Sequence, residues 1–262
     1  MTKLSVIIPA YVKEYQNLES VLLCLNTLQI FHSRTIETEF IVMDDASPLL
    51  ALPMLVPQCA ARVMRNEQNL GFSGNVNAGA ALATGDILFI VNQDVFATEA
   101  GRGWDTAIVK AFDDPTVGIA GSKLTFPDGK LQSAGGLFDL RCTPFHRWLG
   151  YEKHMLPEYS TPETVSWITG AAFAVRADLF RQIGGFDASY IKGYFEDVQA
   201  CLQVRELGYK VWYQPECTLT HVVGTTGGNA YFEQNAKLFY DRWVATGKIK
   251  PDTLVDMRLG WW

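Results

Sequence analysis

The sequence has no excess of basic charge, no paired cysteine motif and no long apolar run, and each absence removes a class of function. Its 22 Lys and Arg face 28 Asp and Glu, for a formal charge of −6. An acidic chain does not grip a polyphosphate through its bulk field, so no nucleic-acid partner is expected. Any phosphate chemistry would need a local device such as a metal ion. The five cysteines (Cys24, Cys59, Cys142, Cys201 and Cys217) are odd in number, widely spaced and without a C-x-x-C pair. This argues against a disulfide framework or structural zinc and fits a reducing, cytoplasmic setting. No apolar run approaches the about 18 residues that a membrane helix needs. Residues 1–9 read as a strand entering a turn, not as a basic segment, an apolar stretch and a cleavage site. Two glycine signatures are missing as well: G-x-G-x-x-G after the first strand and G-x-x-x-x-G-K-[ST] anywhere.

What is present is material for a packed α/β domain, with 48% hydrophobic and 19% charged residues. Leu4 to Ile8 is a β-branched run ended by Pro9, and Leu18, Val21, Leu22, Leu25 and Leu28 follow helical spacing. Phe40 to Met43, Arg62 to Arg65 and Ile87 to Val91 read as further strands, with a small, helix-compatible segment at Ser73 to Ala83. This β-α-β-α order predicts a mostly parallel central sheet flanked by helices. From about residue 120 the texture changes. Residues 133–165 are rich in Gly, Pro and aromatics and read as irregular. Regularity returns with a strand at Ala171 to Val175 and a helix from Glu196 to Glu206. A strand around Lys210 to Tyr213 and a long helix from Ala230 to Thr246 follow. The expectation is one domain over 1–262, with halves at about 1–120 and 121–262 fused across one sheet.

In open α/β sheets, ligands bind beyond the carboxyl ends of the strands. Polar residues collect there: Pro9-Ala10-Tyr11 after the first strand, Asp44-Asp45-Ala46-Ser47 after the second and Asn92-Gln93-Asp94 after the fourth. At these residues the sequence resembles the family 2 glycosyltransferases of the GT-A fold, over roughly residues 3–245. The segments S-V-I-I-P-A-Y and M-D-D-A-S resemble that family's first two strands. Asn69-Leu70-Gly71-Phe72, followed by Asn77 and Gly79, resembles the N-x-G-F…N-x-G stretch of its rhamnosyltransferase-like members. Val91-Asn92-Gln93-Asp94 resembles a variant of the D-x-D metal motif, with Asn at the first position. Gly184-Gly185-Phe186-Asp187 followed by Glu196-Asp197 resembles the G-G-F-D…E-D stretch that carries the catalytic base.

The resemblance implies roles, and each stands beside a plainer reading. Asp94 would hold Mn²⁺ or Mg²⁺, since hard cations take carboxylates together with substrate phosphates; a loop Asp can equally cap the next helix. His221 matches the family's second metal ligand, although a lone His after a strand is often structural. Asp45, preferred over Asp44, would accept the imide N–H of uracil or thymine, or simply begin a turn. Tyr11 would cover the base, or be an ordinary half-buried tyrosine. Asp197 would be the general base at the start of a helix, where unpaired N–H groups favour an ionised carboxylate; a stabilising N-terminal carboxylate is the alternative. Pro9, Asn69, Gly71, Phe72, Asn77, Asn92, Gln93, Gly170 and Glu196 complete the implied donor-binding set. Asn92 would contact the donor sugar or ribose, and Gly170 would allow close approach of backbone and sugar. Trp148, Trp167 and Phe195 are candidates for acceptor contact or for core filling.

The function so implied is inverting, metal-dependent transfer of a sugar from a dTDP- or UDP-sugar to a hydroxyl of a glycan or lipid-linked saccharide. Such transfer is typical of bacterial surface polysaccharide or glycoconjugate synthesis. The expected location is cytoplasmic, with any membrane contact peripheral and made through the acceptor. Processive relatives carry Q-x-x-R-W; here Phe239 precedes Arg242-Trp243, which favours single addition. A nucleotidyltransferase would show a glycine-rich basic loop after the first strand, and Pro9-Ala10-Tyr11-Val12 is not one. A non-catalytic nucleotide-sugar or carbohydrate-binding protein on the same fold is the other alternative.

Overall fold

The computed structural model describes residues 2–50, 52, 61–151, 159–222 and 230–252. The chain opens with β1 (Lys3–Ala10), α1 (Tyr15–Ile30), β2 (Glu37–Asp44) and β3 (Arg62–Arg65). Then come α2 (Gly71–Leu82), β4 (Ile87–Val91), the short β5 (Val95–Phe96) and α3 (Trp104–Lys110). The second half contributes β6 (Val117–Thr125), β7 (Leu131–Ser133), β8 (Gly136–Phe138), β9 (Pro144–His146) and β10 (Glu163–Thr164). It continues with β11 (Ala172–Arg176), α4 (Ala177–Gln182), α5 (Glu196–Glu206), β12 (Lys210–His221) and α6 (Phe232–Phe239). A π-helical turn, Tyr240–Val244, follows α6 directly.

One sheet runs β10-β12-β6-β11-β4-β1-β2-β3, with β5 on β12 and β7 on β6. β3, β2, β1 and β4 are mutually parallel; β11 enters antiparallel between β4 and β6, and β6 pairs parallel with β12. Six strands therefore point their carboxyl ends to one edge, where this class of sheet binds ligands. Both faces are covered. Leu4, Val6 and Ile8 of β1 pack with Leu18, Val21, Leu25 and Leu28 of α1, while Ile7 turns to the other face with Val76 of α2 and Val198 of α5. The period-2 alternation along β1 is what feeds both cores.

The second half departs from expectation in ways that have physical causes. The central strand β6 carries glycines where its neighbours press in. A Cβ on Gly121 would stand 2.3 Å from Ile168 Cγ2, and one on Gly118 would stand 2.6 Å from Val204 Cγ1. Glycine lowers strand propensity, so at these positions it serves close approach of neighbouring side chains rather than strand preference. β12 runs eight residues past Tyr213 to His221, through an irregularity between Gln214 and Thr218 that accommodates Pro215. Residues 133–165 are not irregular throughout, because β8 and β9 form a hairpin and β10 joins the main sheet. The C-terminal helix ends its α-form at Phe239.

Candidate active site

Asp94 and His221 are brought together by the β5–β12 ladder. His221 pairs with Val95 in register, and Val222 N–H donates to the Asp94 carbonyl at 2.9 Å. Across that junction Asp94 Oδ1 lies 3.1 Å from His221 Nε2, with both side chains nearly buried. Two ligands at about 2.1 Å on adjacent octahedral vertices stand about 3.0 Å apart. The pair therefore fits one divalent cation, as one carboxylate oxygen and one imidazole nitrogen. No cluster of three or more His, Cys, Asp or Glu suited to a metal exists among the described residues. Other coordination positions would fall to substrate phosphate and water, which suits a cation that arrives with a diphosphate.

Asp197 sits at the start of α5. Its Oδ2 accepts the Gly170 N–H at 2.7 Å and its Oδ1 accepts the Val198 N–H at 2.8 Å. Burial nevertheless raises its pKa above the usual carboxylate range, against the pull of those amides. The expectation of a base kept ionised by the helix terminus thus meets a stronger opposing effect. Beside it, Glu196 is pushed well above the carboxylate range by burial and then by the Asp197 charge. Glu196 Oε2 has no hydrogen-bond partner among the described residues.

The turn leading into α5 is unusual. Lys192, Gly193, Tyr194 and Phe195 are four consecutive residues with positive φ, at 63°, 128°, 78° and 75°. For the non-glycine residues this left-handed conformation costs about 1–2 kcal/mol each. Such strain persists only where surrounding contacts over-determine it. Here Asn235 of α6, fully buried, supplies them: its Nδ2 donates to the carbonyls of Ile191 (3.0 Å) and Gly193 (2.6 Å), and its Oδ1 accepts the Ile191 N–H (3.1 Å). Lys192 Nζ also bonds Asn69 Oδ1. Sequence reasoning missed Asn235, which sits in an ordinary amphipathic helix without a motif around it.

Several residues singled out by resemblance hold the scaffold of this end. Asp45 accepts the N–H groups of Leu70 (2.7 Å) and Gly71 (2.9 Å) and Asn66 Nδ2 (3.0 Å), so its carboxylate caps the start of α2. A carboxylate offers about four lone-pair sites, which leaves one for any nucleobase. Asn77 exchanges two hydrogen bonds with Phe186, at 2.7 and 2.9 Å, fixing the Gly184–Asp187 turn. Phe72 stacks on Phe186 at 5.9 Å, and Gly71 takes φ +73° against the Lys192 backbone. Asn69 Nδ2 donates to the Asp45 carbonyl at 3.2 Å. The N-x-G-F…N-x-G and G-G-F-D segments are therefore one interlocked unit. Asp187 in turn meets Arg242 and Gln199, while Trp243 and Tyr190 also bond Gln199. That network pins the π-helical turn to α5.

At the carboxyl ends of β1 and β4, Gln93 Oε1 accepts the Tyr11 N–H at 2.7 Å, next to Pro9. Gln93 Nε2 and Asn92 Oδ1 are buried without a hydrogen-bond partner among the described residues. Unsatisfied buried polar atoms call for an explanation, and a ligand at this edge is one. Lys13 Nζ lies 5.3 Å from the half-buried Tyr11 ring. The three aromatic acceptor candidates act as packing. Trp167 fills space over Gly136 and donates to the Leu137 carbonyl at 3.1 Å; Trp148 packs on Tyr159 and Arg147; Phe195 stacks on Phe239. Gly170 would bring a Cβ to 3.2 Å from Phe72 and 3.5 Å from Asp197 Cβ, so its bareness serves that packing. Cys24, Cys142, Cys201 and Cys217 are free thiols; Cys59 and His154 lie outside the described residues.

Comparison with known proteins identifies the family and the fold. Among curated proteins, the chain is 29% identical over 171 residues to the uncharacterized protein y4gI of Sinorhizobium fredii, covering 64% of this chain and 19% of that one. It is 28% identical over 184 residues to the pre-mycofactocin glycosyltransferase of Mycobacterium tuberculosis, covering 69% and 37%. It is 26% identical over 225 residues to the N-acetylglucosaminyl-diphospho-decaprenol L-rhamnosyltransferase of the same species, covering 77% and 69%. The chain thus spans well under half the length of the first two relatives. Among solved structures it resembles GalNAc-T7 with UDP, GalNAc and Mn²⁺ (TM-score 0.71, 17% identity, 93% of this chain and 48% of that one). It also resembles the mannosyltransferase PcManGT from Pyrobaculum calidifontis with GDP-Man and Mn²⁺ (TM-score 0.65, 17% identity, 97% and 66%). These likenesses establish the fold as that of the GT-A glycosyltransferases. The description "Glycosyl transferase family 2" matches residues 5–184, a stretch that ends before Asp197 and His221. With more than half of its length matched, this chain belongs to glycosyltransferase family 2.

Proposed function

We propose that this chain is an inverting, metal-dependent glycosyltransferase that moves a sugar from a dTDP- or UDP-sugar to a hydroxyl of a glycan or lipid-linked saccharide. One observation carries the reading: Gly170-Ala171 touches both halves of the chemistry, with Gly170 N–H on Asp197 and the Ala171 carbonyl accepting Asn92 N–H at 3.0 Å. The base is thus two residues' reach from the strand end that bears Asp94. The names of the rhamnosyltransferase relative and of an O-antigen biosynthesis protein of Myxococcus xanthus support a surface-glycan acceptor. Mn²⁺ bound in the two solved structures supports a divalent cation.

Asp94 and His221 would hold that cation, which when bound neutralises charge on the departing diphosphate. Asp197 takes the acceptor hydroxyl proton while that oxygen bonds to the anomeric carbon and the bond from that carbon to the phosphate oxygen breaks. A single displacement inverts the configuration without a covalent enzyme intermediate. The buried atoms Asn92 Oδ1 and Gln93 Nε2 orient the donor sugar or ribose, and Tyr11 lies against the base. Among the described residues no helix is long and apolar enough to cross a membrane. In this reading the protein is cytoplasmic and meets the membrane peripherally, through its acceptor.

The test is a thermal-shift screen of UDP, dTDP and GDP, each with and without Mn²⁺, on wild type and Asp94→Ala. A ligand at about 100 times its Kd stabilises the folded state by about 2.7 kcal/mol. The expected result is stabilisation by one diphosphate that needs Mn²⁺ and is lost in Asp94→Ala. No shift with any nucleotide would refute the donor site.

A further inference from the structure

We infer that Gln132 is a positioning residue that sets the tautomer of His221 and so prepares its Nε2 to bind a divalent cation; this rests on the metal reading above. Gln132 lies in β7, 89 residues before His221 in the chain, and is buried. Its amide is committed on both ends to the same residue. Nε2 donates to the His221 carbonyl at 3.2 Å, and Oε1 faces His221 Nδ1 at 2.6 Å. A carbonyl can only accept, so the amide nitrogen must face it and the amide oxygen must face the ring. An oxygen facing Nδ1 at hydrogen-bond distance requires the proton to be on Nδ1. The neutral ring then carries its lone pair on Nε2, which points at Asp94 Oδ1 at 3.1 Å. Two acceptors at that distance repel unless a cation or a proton lies between them. Gln132 thus builds a place that a divalent ion fills. Partners of this kind orient metal-bound histidines and raise their basicity.

The buried surroundings reinforce the arrangement. β7 is held to β6 through Ser133 and Leu131, which pair with Leu124 and Thr125. The neighbouring Ser133 Oγ meets His146 Nδ1 at 3.1 Å, a half-buried imidazole. No sequence motif marks Gln132; only the tertiary contact shows it.

The experiment compares wild type, Gln132→Leu and Gln132→Glu in two readouts. First, ¹⁵N NMR of histidine-labelled, metal-free protein, followed upward in pH until the ring is neutral and with His221 assigned by its loss in His221→Gln, reports the tautomer. Second, electron paramagnetic resonance titration gives the Mn²⁺ Kd in the presence of the stabilising nucleoside diphosphate. The expected outcome is an Nδ1–H tautomer in wild type, Mn²⁺ binding weakened about 10–100-fold in Gln132→Leu, and binding retained in Gln132→Glu. An Nε2–H tautomer in wild type would overturn the inference, a result that needs no variant to fold. So would wild-type Mn²⁺ affinity in a Gln132→Leu protein that melts as wild type does. Absence of Mn²⁺ binding by wild type would refute the metal reading itself, while the NMR result still decides what Gln132 does to His221.

Discussion

Asp197 Oδ2 accepts the Gly170 N–H at 2.7 Å, and the next residue, Ala171, accepts Asn92 N–H, so one short segment joins the proposed base to the strand end that leads to Asp94. A backbone bridge of this kind keeps the carboxylate oriented without neutralising it.

Asp197→Asn keeps the shape and can keep the Gly170 hydrogen bond, but it cannot take a proton. A general base contributes about 10²–10⁴-fold. Steady-state kinetics should show kcat reduced by about that factor, with donor affinity by calorimetry unchanged. A variant retaining most of its kcat would remove Asp197 from the base role.

The acid side of the activity profile should lie above the ordinary Asp value of about 3.9. Burial raises the Asp197 pKa, so the protonated, inactive form persists to higher pH than for a solvated carboxylate. Activity then falls as pH drops through that raised value. A kcat/KM profile still flat as pH approaches the ordinary value would contradict the assignment.

Asn235→Ala leaves the buried carbonyl of Gly193 and the partly buried carbonyl and N–H of Ile191 without the amide that binds them. A buried polar group left unsatisfied costs about 1–3 kcal/mol, and the partly buried Ile191 groups cost less because water can reach them. The Lys192–Phe195 turn, with its left-handed residues, should relax as well. Denaturant unfolding should show a loss of several kcal/mol, and kcat should fall more than the donor KM rises, because Asp197 is carried by this turn.

Asp187 predicts an acid-sensitive link between α5 and the C-terminal turn. Burial pushes its pKa up, but hydrogen bonds from Ser189, Gln199 and Arg242 win and bring it down to about 2. A carboxylate with a lowered folded pKa adds stability above its unfolded value, about 3.9, and that stability is lost as pH falls toward about 2. Arg242→Met should therefore destabilise the protein at neutral pH, by urea midpoint, with the gap to wild type closing between about pH 4 and 2. A gap independent of pH would mean that Arg242 acts through packing alone.

Much of the fold is legible because its signals are local. Ser5-Val6-Ile7-Ile8 alternates between two buried faces, α1 repeats at helical spacing, and Glu196 opens α5 where the sequence places it. These patterns need only the neighbours within a turn or a strand. What the tertiary structure decided are relations that depend on register between distant strands. His221 reaches Asp94, 127 residues earlier, because β12 runs past an irregularity at Pro215 and pairs with β5. Gln132 reaches His221 because β7 pairs with the end of β6. Asp45 and Asn77 look like ligand contacts in a motif, yet their side chains face amides of α2 and the Gly184–Asp187 turn. Sequence spacing tells which residue types arrive at the carboxyl edge of the sheet. Only the packed structure tells which of their lone pairs are already satisfied by the protein and which are left for a ligand.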